Sequence, residues 1–298
     1  MTDVLPTGLP VAVFGEVLLD CFEDGQQVPG GAPFNVAWHL HALGDAPLFI
    51  SRLGNDSHGE RLKAAMQDWH MSISGLQFDA EHATGIVDVR LRDGQPDYVI
   101  REDSAWDHIA VAALPVLASP SMLYHGTLAL RHENSRAALH RLQAAPGVSI
   151  FIDLNLRAPW WNGDAVHTML QRARWAKMNQ AELAALGFDR GNLAADMAAL
   201  QAEYPIEQLI VTCGEAGARV RSRDGRFVEQ ASVPAACIVD SVGAGDAFSA
   251  MYIHGLRAGW PAEIILGRAQ QFASAILGRR GAIVEDPAFY RPFVTTQD

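Results

Sequence analysis

Val239-Asp240-Ser241-Val242-Gly243-Ala244-Gly245-Asp246-Ala247-Phe248-Ser249-Ala250-Met251 is the stretch on which the reading of this chain turns. The apolar run from Ala235 to Val239 leads into two glycines separated by an alanine, then an aspartate, then small and apolar residues at helical spacing. That order predicts a strand, a tight turn and a helix. The first N–H groups of a helix have no intrahelical partner and carry the positive end of its dipole, so the turn from Gly243 to Asp246 is suited to hold phosphate or a developing anion. Asp246 stands where that anion would sit. A carboxylate in a first turn can also do no more than steady the helix dipole. The rest of the chain has to decide between base and cap.

Working outward, 298 residues of which 49% are hydrophobic can bury a large core, either as one big α/β domain or as two ordinary ones. A net charge of -11, with no basic run to reverse it locally, argues against nucleic acid or an anionic membrane and leaves a small molecule as the expected partner. Met1 to Pro10 has neither a positive nor an apolar leader region, and no later segment approaches the roughly 18 apolar residues of a membrane span. A cytoplasmic protein is expected. Three scattered cysteines, Cys21, Cys213 and Cys237, form neither a disulfide framework nor a thiolate metal site. The only lysines are Lys63 and Lys177, and neither follows a glycine-rich loop, so there is no Walker A sequence. Nucleotide phosphates would have to be handled by backbone N–H groups, arginines and metal.

Val11-Ala12-Val13-Phe14-Gly15 reads as a buried strand with Glu16 to Asp20 at its C-terminal edge, where ligands of α/β sheets gather. Asp20 there accepts hydrogen bonds from substrate hydroxyls or merely faces solvent. In Pro29-Gly30-Gly31-Ala32-Pro33-Phe34-Asn35-Val36-Ala37, paired glycines allow close approach of a ligand, and a helix follows that ends at Gly44. Asn35 points from its first turn toward the glycines. His39 and His41, two apart, cannot chelate one metal and are read as packing or surface residues. Leu48 to Leu53 is a strand, with a helix from Glu60 to Trp69. Residues 84–101 differ: Gly85 to Arg92 alternates, Asp93-Gly94 supplies a turn and Tyr98 to Arg101 returns, the pattern of an antiparallel hairpin. Such a hairpin is marginal alone and should cover a site, pair with another subunit, or decorate the main sheet. Thereafter strands and helices alternate, and the strand ends carry His125-Gly126-Thr127, Asp153 to Arg157, Asn179 to Glu182, and Thr212 to Gly217. A parallel sheet puts all of these on one edge.

Gly243-Ala244-Gly245-Asp246-Ala247-Phe248 begins like a dinucleotide fingerprint but lacks its third glycine and lies far from the N-terminal βαβ unit. Histidine pairs with the spacing of hydrolytic metal sites are not found at the strand ends. A sugar- or nucleoside-binding module without catalysis has no evident need for an aspartate in an anion-binding turn. Phosphoryl transfer fits: it needs a carboxylate near an acceptor hydroxyl, donors around the moving phosphoryl group, and a metal to gather nucleotide oxygens. An aspartate of ordinary low pKa suffices for a loose transition state.

The Gly30 to Ala37 segment with Leu40, Leu43 and Gly44, together with Asp240 to Ala250, resembles the two signatures of the ribokinase-like (PfkB) carbohydrate kinases. Asn179/Glu182 and Thr212/Gly214/Gly217 fall between them in family order. The resemblance runs from about Val11 to Ala282. It implies one three-layer α/β/α domain over residues 1–298, a mostly parallel central sheet, and a small β-sheet lid from segments near 18–30 and 84–101. It also implies a homodimer formed through the lid. On that resemblance Asp246 is the base, Gly243, Ala244 and Gly245 form the anion hole, and Asp20, Gly30, Gly31 and Asn35 contact the sugar. Asn179, Thr212, Gly214, Gly217 and Gly245 serve ATP, and Glu182 places Mg2+, partly through water. Arg157 reaches the transferring phosphate or pairs with a neighbouring carboxylate. Asp240 and Val242 would supply oxygens to a monovalent cation such as K+, although Ser241 stands where threonine is more usual and Ala216 where lysine is common. Gly15-Glu16 with Asp20, Pro29 to Pro33, and Gly126 to Leu130 look most like the fructokinase branch. Ribokinase, 2-keto-3-deoxygluconate kinase and nucleoside kinase are the alternatives within the family.

Overall fold

Continuous apolar runs build most of the central sheet, as expected of strands covered on both faces. The computed structural model describes residues 7–92, 95–234, 239–240 and 242–294. The expected Asp93-Gly94 turn, most of the Ala235 to Val239 run, Cys237 and Ser241 lie outside these residues. The strands are β1 (Val11–Phe14), β2 (Leu18–Phe22), β3 (Gln27–Gly30), β4 (Leu48–Gly54), β5 (Leu76–Asp79), β6 (Gly85–Arg92) and β7 (Gln95–Ile100). They continue with β8 (Ser121–His125), β9 (Val148–Asp153), β10 (Ala173–Asn179), β11 (Gln208–Thr212), β12 (Ala218–Ser222) and β13 (Phe227–Gln230). Nine form one sheet in the order β13-β12-β11-β10-β9-β8-β1-β4-β5, and β3-β2-β6-β7 form a second. Within the large sheet β5, β4, β1, β8, β9, β10 and β11 run parallel, and β12 and β13 extend it antiparallel.

Side-chain alternation divides the core into two layers. Val11 and Val13 share a cluster with Trp38, Met66, Phe248, Tyr252, Phe272 and Tyr290, which come from helices Ala32–Ala42, Ser57–Asp68, Ala244–Ala258, Ala262–Leu277 and Pro287–Val294. Ala12 and Phe14 face the other way, toward helix Glu133–Gln143. Further along that face Ile152, Met178 and Val211 meet helices Gly163–Leu170, Gln180–Ala185 and Leu193–Glu203. Full burial of a side chain such as Phe248 or Phe272 contributes about 1.5–3 kcal/mol each.

The second sheet draws on two stretches of chain, β2 and β3 from one and the hairpin from the other. Residues 85–100 do pair antiparallel, but β6 also lies parallel to β2, with Leu18 opposite Gly85 and Asp20 opposite Val87. Glu16 to Asp20 is thus not a loop beyond β1; from Leu18 it is a strand of the small sheet. Asp56 fastens this sheet's entry to the body: it caps helix Ser57–Asp68 through Gly59 N at 2.8 Å and accepts from Thr84 N at 2.8 Å. Strand order reverses at β1, since β4 and β5 add on one side and β8 to β11 on the other. The crevice at the C-terminal ends of β1 and β8 is the place where such a sheet binds ligands.

Candidate active site

Helix Ala244–Ala258 starts at that crevice. Its N-cap, Gly243, is left-handed at φ 81° and offers no side-chain cap. A Cβ there would stand 2.5 Å from Ala282 Cα, so only glycine makes this turn. With no side-chain cap, the first N–H groups remain for a ligand. Gly245 is exposed, and Asp246 lies in the first turn, half-buried. Helix Ala32–Ala42 packs beside it and brings Asn35, 3% exposed, to donate from Nδ2 to Asp246 Oδ2 at 2.8 Å. Desolvation, assisted by the Asp153 charge, pushes the Asp246 carboxyl up to about 7, against the lowering pull of Asn35, Lys177 and Arg157. An ordinary low pKa would suffice for a loose transition state, but the half-buried carboxyl lies well above that range because protein replaces much of its water.

Two buried acceptors beside it lack partners. Asn35 Oδ1 and Glu16 Oε2 make no hydrogen bond among the described residues. Glu16, 3% exposed at the end of β1, has its carboxyl pushed up to about 7 by burial, with Asp246 as a like-charged neighbour and Arg157 opposing. Unpaired buried acceptors cost stability unless a ligand supplies donors. Asp20, on β2, is pushed up to about 6 by burial and by Asp240. It lines a cleft of about 400 Å³ between the small sheet, including Tyr98, and the loops that carry Asp240 and Gly281. A Cβ on Gly30 would meet Asp20 Oδ2 at 2.6 Å, and one on Gly31, at φ 107°, would meet the Glu16 carbonyl at 2.6 Å, so both glycines hold the neighbouring backbone and carboxylate close. Arg157 is exposed, makes no ion pair among the described residues, and lies within electrostatic reach of Asp246, Glu16 and Tyr98.

On the other side of the Gly243 turn, Thr212, Gly214, Gly217, Gly245 and Phe248 line a cleft of about 550 Å³, large enough for a nucleotide. Asn179 and Glu182 lie at the end of β10 as a reciprocal cap: Asn179 Oδ1 accepts from Glu182 N, and Glu182 Oε2 from Asn179 N, both at 2.8 Å. Glu182 Oε1 accepts from Leu156 N at 2.7 Å, which ties this turn to the Arg157 loop. Each carboxylate oxygen thus keeps only part of its acceptor capacity. Asp240 Oδ1 accepts from Val242 N and its Oδ2 from Gly281 N, each at 3.0 Å.

Lys177 is the residue that sequence reasoning set aside. It does not follow a glycine-rich loop; instead it lies on β10 opposite Asp153 of β9, 5% exposed, with Nζ 2.8 Å from Asp153 Oδ2. Ser249 Oγ donates to the same oxygen at 2.7 Å, and Nζ comes within 3.6 Å of where a Gly245 Cβ would be. The pair therefore underlies the anion-binding turn. A polar residue, Lys177, inside the apolar run Trp175 to Met178 was the available signal, since lysine is almost never buried unless paired. Glu16 carried a similar one, directly after the glycine that closes β1.

Comparison with known proteins identifies the family. The family model described as "pfkB family carbohydrate kinase" matches residues 13–288. The chain is 30% identical over 270 residues to a fructokinase of Salmonella typhimurium, covering 85% of this chain and 87% of that protein. It is 30% identical over 264 residues to fructokinase-1 of Oryza sativa subsp. japonica, covering 80% of each. Among solved structures, a fructokinase double mutant from Vibrio cholerae O395, bound to fructose, ADP and potassium ion, superposes with a TM-score of 0.82 at 23% identity, covering 96% of this chain and 99% of that one. Aminoimidazole riboside kinase from Salmonella enterica, complexed with aminoimidazole riboside and an ATP analog, gives 0.82 at 22% identity, covering 96% and 100%. With a ribokinase-like fold and a family match over nearly its whole length, the chain belongs to the pfkB family of carbohydrate kinases.

Proposed function

We propose that this kinase transfers the γ-phosphoryl group of ATP to a primary hydroxyl of a ketose, fructose. The observation that carries the reading is the Asp246 carboxylate, clamped by Asn35 at the head of a glycine-opened helix with acceptors left unpaired beside it. An acceptor-rich pocket suits a ligand made of hydroxyl groups. The fructokinases of bacteria and rice at 30% identity favour fructose within the family.

In this mechanism the sugar fills the crevice, donating hydroxyls to Asp20 and to the free oxygens of Asn35 and Glu16, with Gly30 and Gly31 close behind. Asp246 accepts the proton of the attacking hydroxyl. The N–H groups of Ala244, Gly245 and Asp246, at the positive end of the helix, take up charge on the transferring phosphoryl group, and Arg157 faces it from across the crevice. Lys177, paired with Asp153, holds the turn from below. The nucleotide lies along Thr212, Gly214 and Gly217. Magnesium, when bound with ATP, neutralises charge on its phosphates. Glu182 fits a hydrated ion held through water, because both of its oxygens already accept a backbone N–H. Asp240, which fixes Val242 and Gly281, leaves oxygen donors suited to potassium, the ion bound in the Vibrio fructokinase. The small sheet acts as a lid, and its exposed Tyr98 and Val99 (46% and 42%) support pairing with a second copy. We read one kinase domain across residues 1–298, working in the cytoplasm where ATP is supplied.

A coupled ADP-release assay over fructose, ribose, 2-keto-3-deoxygluconate and adenosine tests the proposal. Fructose should give the highest kcat/KM. A different preferred sugar would move the chain to another branch, and no turnover with any of them at saturating Mg-ATP would leave a sugar-binding module.

A further inference from the structure

Helix Ala32–Ala42 carries a histidine into the core. His39 is fully buried, which is costly for an imidazole unless both ring nitrogens find partners. Its Nε2 lies 2.9 Å from the Ala282 carbonyl oxygen and its Nδ1 3.0 Å from the Tyr290 hydroxyl. Burial pushes the ring down to about 4, so it is neutral near pH 7 and holds one ring proton. A carbonyl only accepts, so that proton is on Nε2 and is donated to Ala282. The Tyr290 hydroxyl lies between Nδ1 and the Val284 carbonyl, 3.1 Å away. Trp38 Nε1 already donates to that carbonyl at 3.0 Å, which leaves the Tyr290 proton for Nδ1. Phe272 stands edge-on to the ring, with centroids 5.1 Å apart, and fixes its plane.

What this ring holds bears on the crevice. Residues 281–284 belong to no helix or strand, so side-chain hydrogen bonds have to place them. His39 supplies the one hydrogen bond to the Ala282 carbonyl among the described residues. Ala282 is what the Gly243 turn rests on, since a Cβ on Gly243 would come within 2.5 Å of Ala282 Cα. Gly281 N, next to it, donates to Asp240 Oδ2 at 3.0 Å. The segment thus meets the turn at Asp240, before it, and at Gly243, inside it. Asn35 lies one helical turn before His39, on the same face, and donates to Asp246 at 2.8 Å. One helix therefore reaches the turn twice, at the carboxylate through Asn35 and at the glycine through His39 and Ala282.

We propose that His39 is a positioning residue for phosphoryl transfer, its Nε2–H seating the Gly243 to Asp246 turn against the helix that carries Asn35. The inference rests on the reading of that turn as the anion hole. A displacement of about 1 Å at a catalytic group costs on the order of 10²-fold in rate, so the loss of one such bond is measurable.

Two polar substitutions test it. His39→Gln puts an amide N–H near the place of Nε2, whereas His39→Asn, one methylene shorter, reaches only the place of Nδ1. kcat is measured at saturating Mg-ATP with whichever sugar of the panel the wild type phosphorylates fastest, and the Kd of that sugar by calorimetry. His39→Asn should lower kcat about 10–100-fold while Kd stays within about 3-fold, and His39→Gln should keep kcat within about 3-fold of wild type. Equal kcat in the two variants, or a wild-type kcat in His39→Asn, overturns the proposal. The Ala247 amide, which closes the turn on the Gly243 carbonyl at 2.9 Å, gives a readout that needs no sugar. Its hydrogen exchange should quicken in His39→Asn and not in His39→Gln; the same exchange in both overturns the link, whereas a wild type that phosphorylates no sugar of the panel would sink the kinase reading instead. Should His39→Asn fail to fold, wild-type protein with 15N-labelled histidine reports: the His39 Nε2–H resonance should shift when Mg-ADP and aluminium fluoride, a mimic of the transferring phosphoryl group, are added. A resonance that does not move overturns the link.

Discussion

The acid limb of catalysis should lie near neutrality. Burial raises the Asp246 carboxyl from 3.8 to about 7, and only its charged form accepts a proton from the sugar. At pH 6 roughly one tenth of the enzyme would carry the charged base, at pH 7 about half and at pH 8 about nine tenths. kcat/KM for fructose at saturating Mg-ATP should therefore rise about 5-fold from pH 6 to 7 and less than 2-fold from 7 to 8. Because Glu16 is also raised to about 7 and interacts with Asp246, the limb is a property of the pair. Two variants separate them. Asn35→Ala removes a donor to the carboxylate, disfavours its charged form, and should move the limb to higher pH. Glu16→Gln removes a like charge and should move it to lower pH. The readout is the limb's position in an ADP-release assay whose coupling enzymes are held non-limiting at each pH. A profile flat between pH 6 and 8, or an Asn35→Ala limb displaced downward, would refute the reasoning.

Other consequences follow from the same contacts. Lys177→Met leaves Asp153 charged and unpaired in the core and should cost on the order of 3–5 kcal/mol in urea unfolding, with Asp153→Asn restoring much of it; a loss under about 1 kcal/mol would contradict the buried pair. Asp246→Asn should raise the melting temperature by more at pH 8 than at pH 5. The folded pKa of about 7 exceeds the ordinary 3.8, so this group's stabilising contribution is complete below the lower value and is lost as pH rises through the upper one. A pH-independent difference would argue against the shift. Fructose should slow amide exchange in 85–92 and 95–100 if the small sheet closes over the sugar, and unchanged exchange would remove its role as a lid.

The alternating strands and helices were legible because parallel strands are apolar throughout and each ends in polar residues. Val11 to Phe14 and Leu209 to Thr212 show this directly. β2 was legible only through the family resemblance, which put a lid segment near 18–30; from the residues themselves Leu18 to Phe22 follows β1 after three residues and looks like its trailing edge, because its pairing with β6 is distant in sequence. The turn at Gly243 was legible from two glycines and a carboxylate, because few other sequences make a left-handed start to a helix. The raised pKa of Asp246 was not, because desolvation depends on what packs above it from Asn35 and Glu16, some two hundred residues away. Lys177 was invisible as a support of the turn for a related reason: its partner, Asp153, is assigned by strand register rather than by spacing.

The most direct test of Asp246 as the base is single-turnover phosphorylation of fructose by Asp246→Asn alongside calorimetric fructose binding. Loss of the base and its charge should lower the rate about 10²–10⁴-fold while the fructose Kd changes little. A variant that phosphorylates fructose at a near wild-type rate would return Asp246 to the lesser part of a helix-dipole residue.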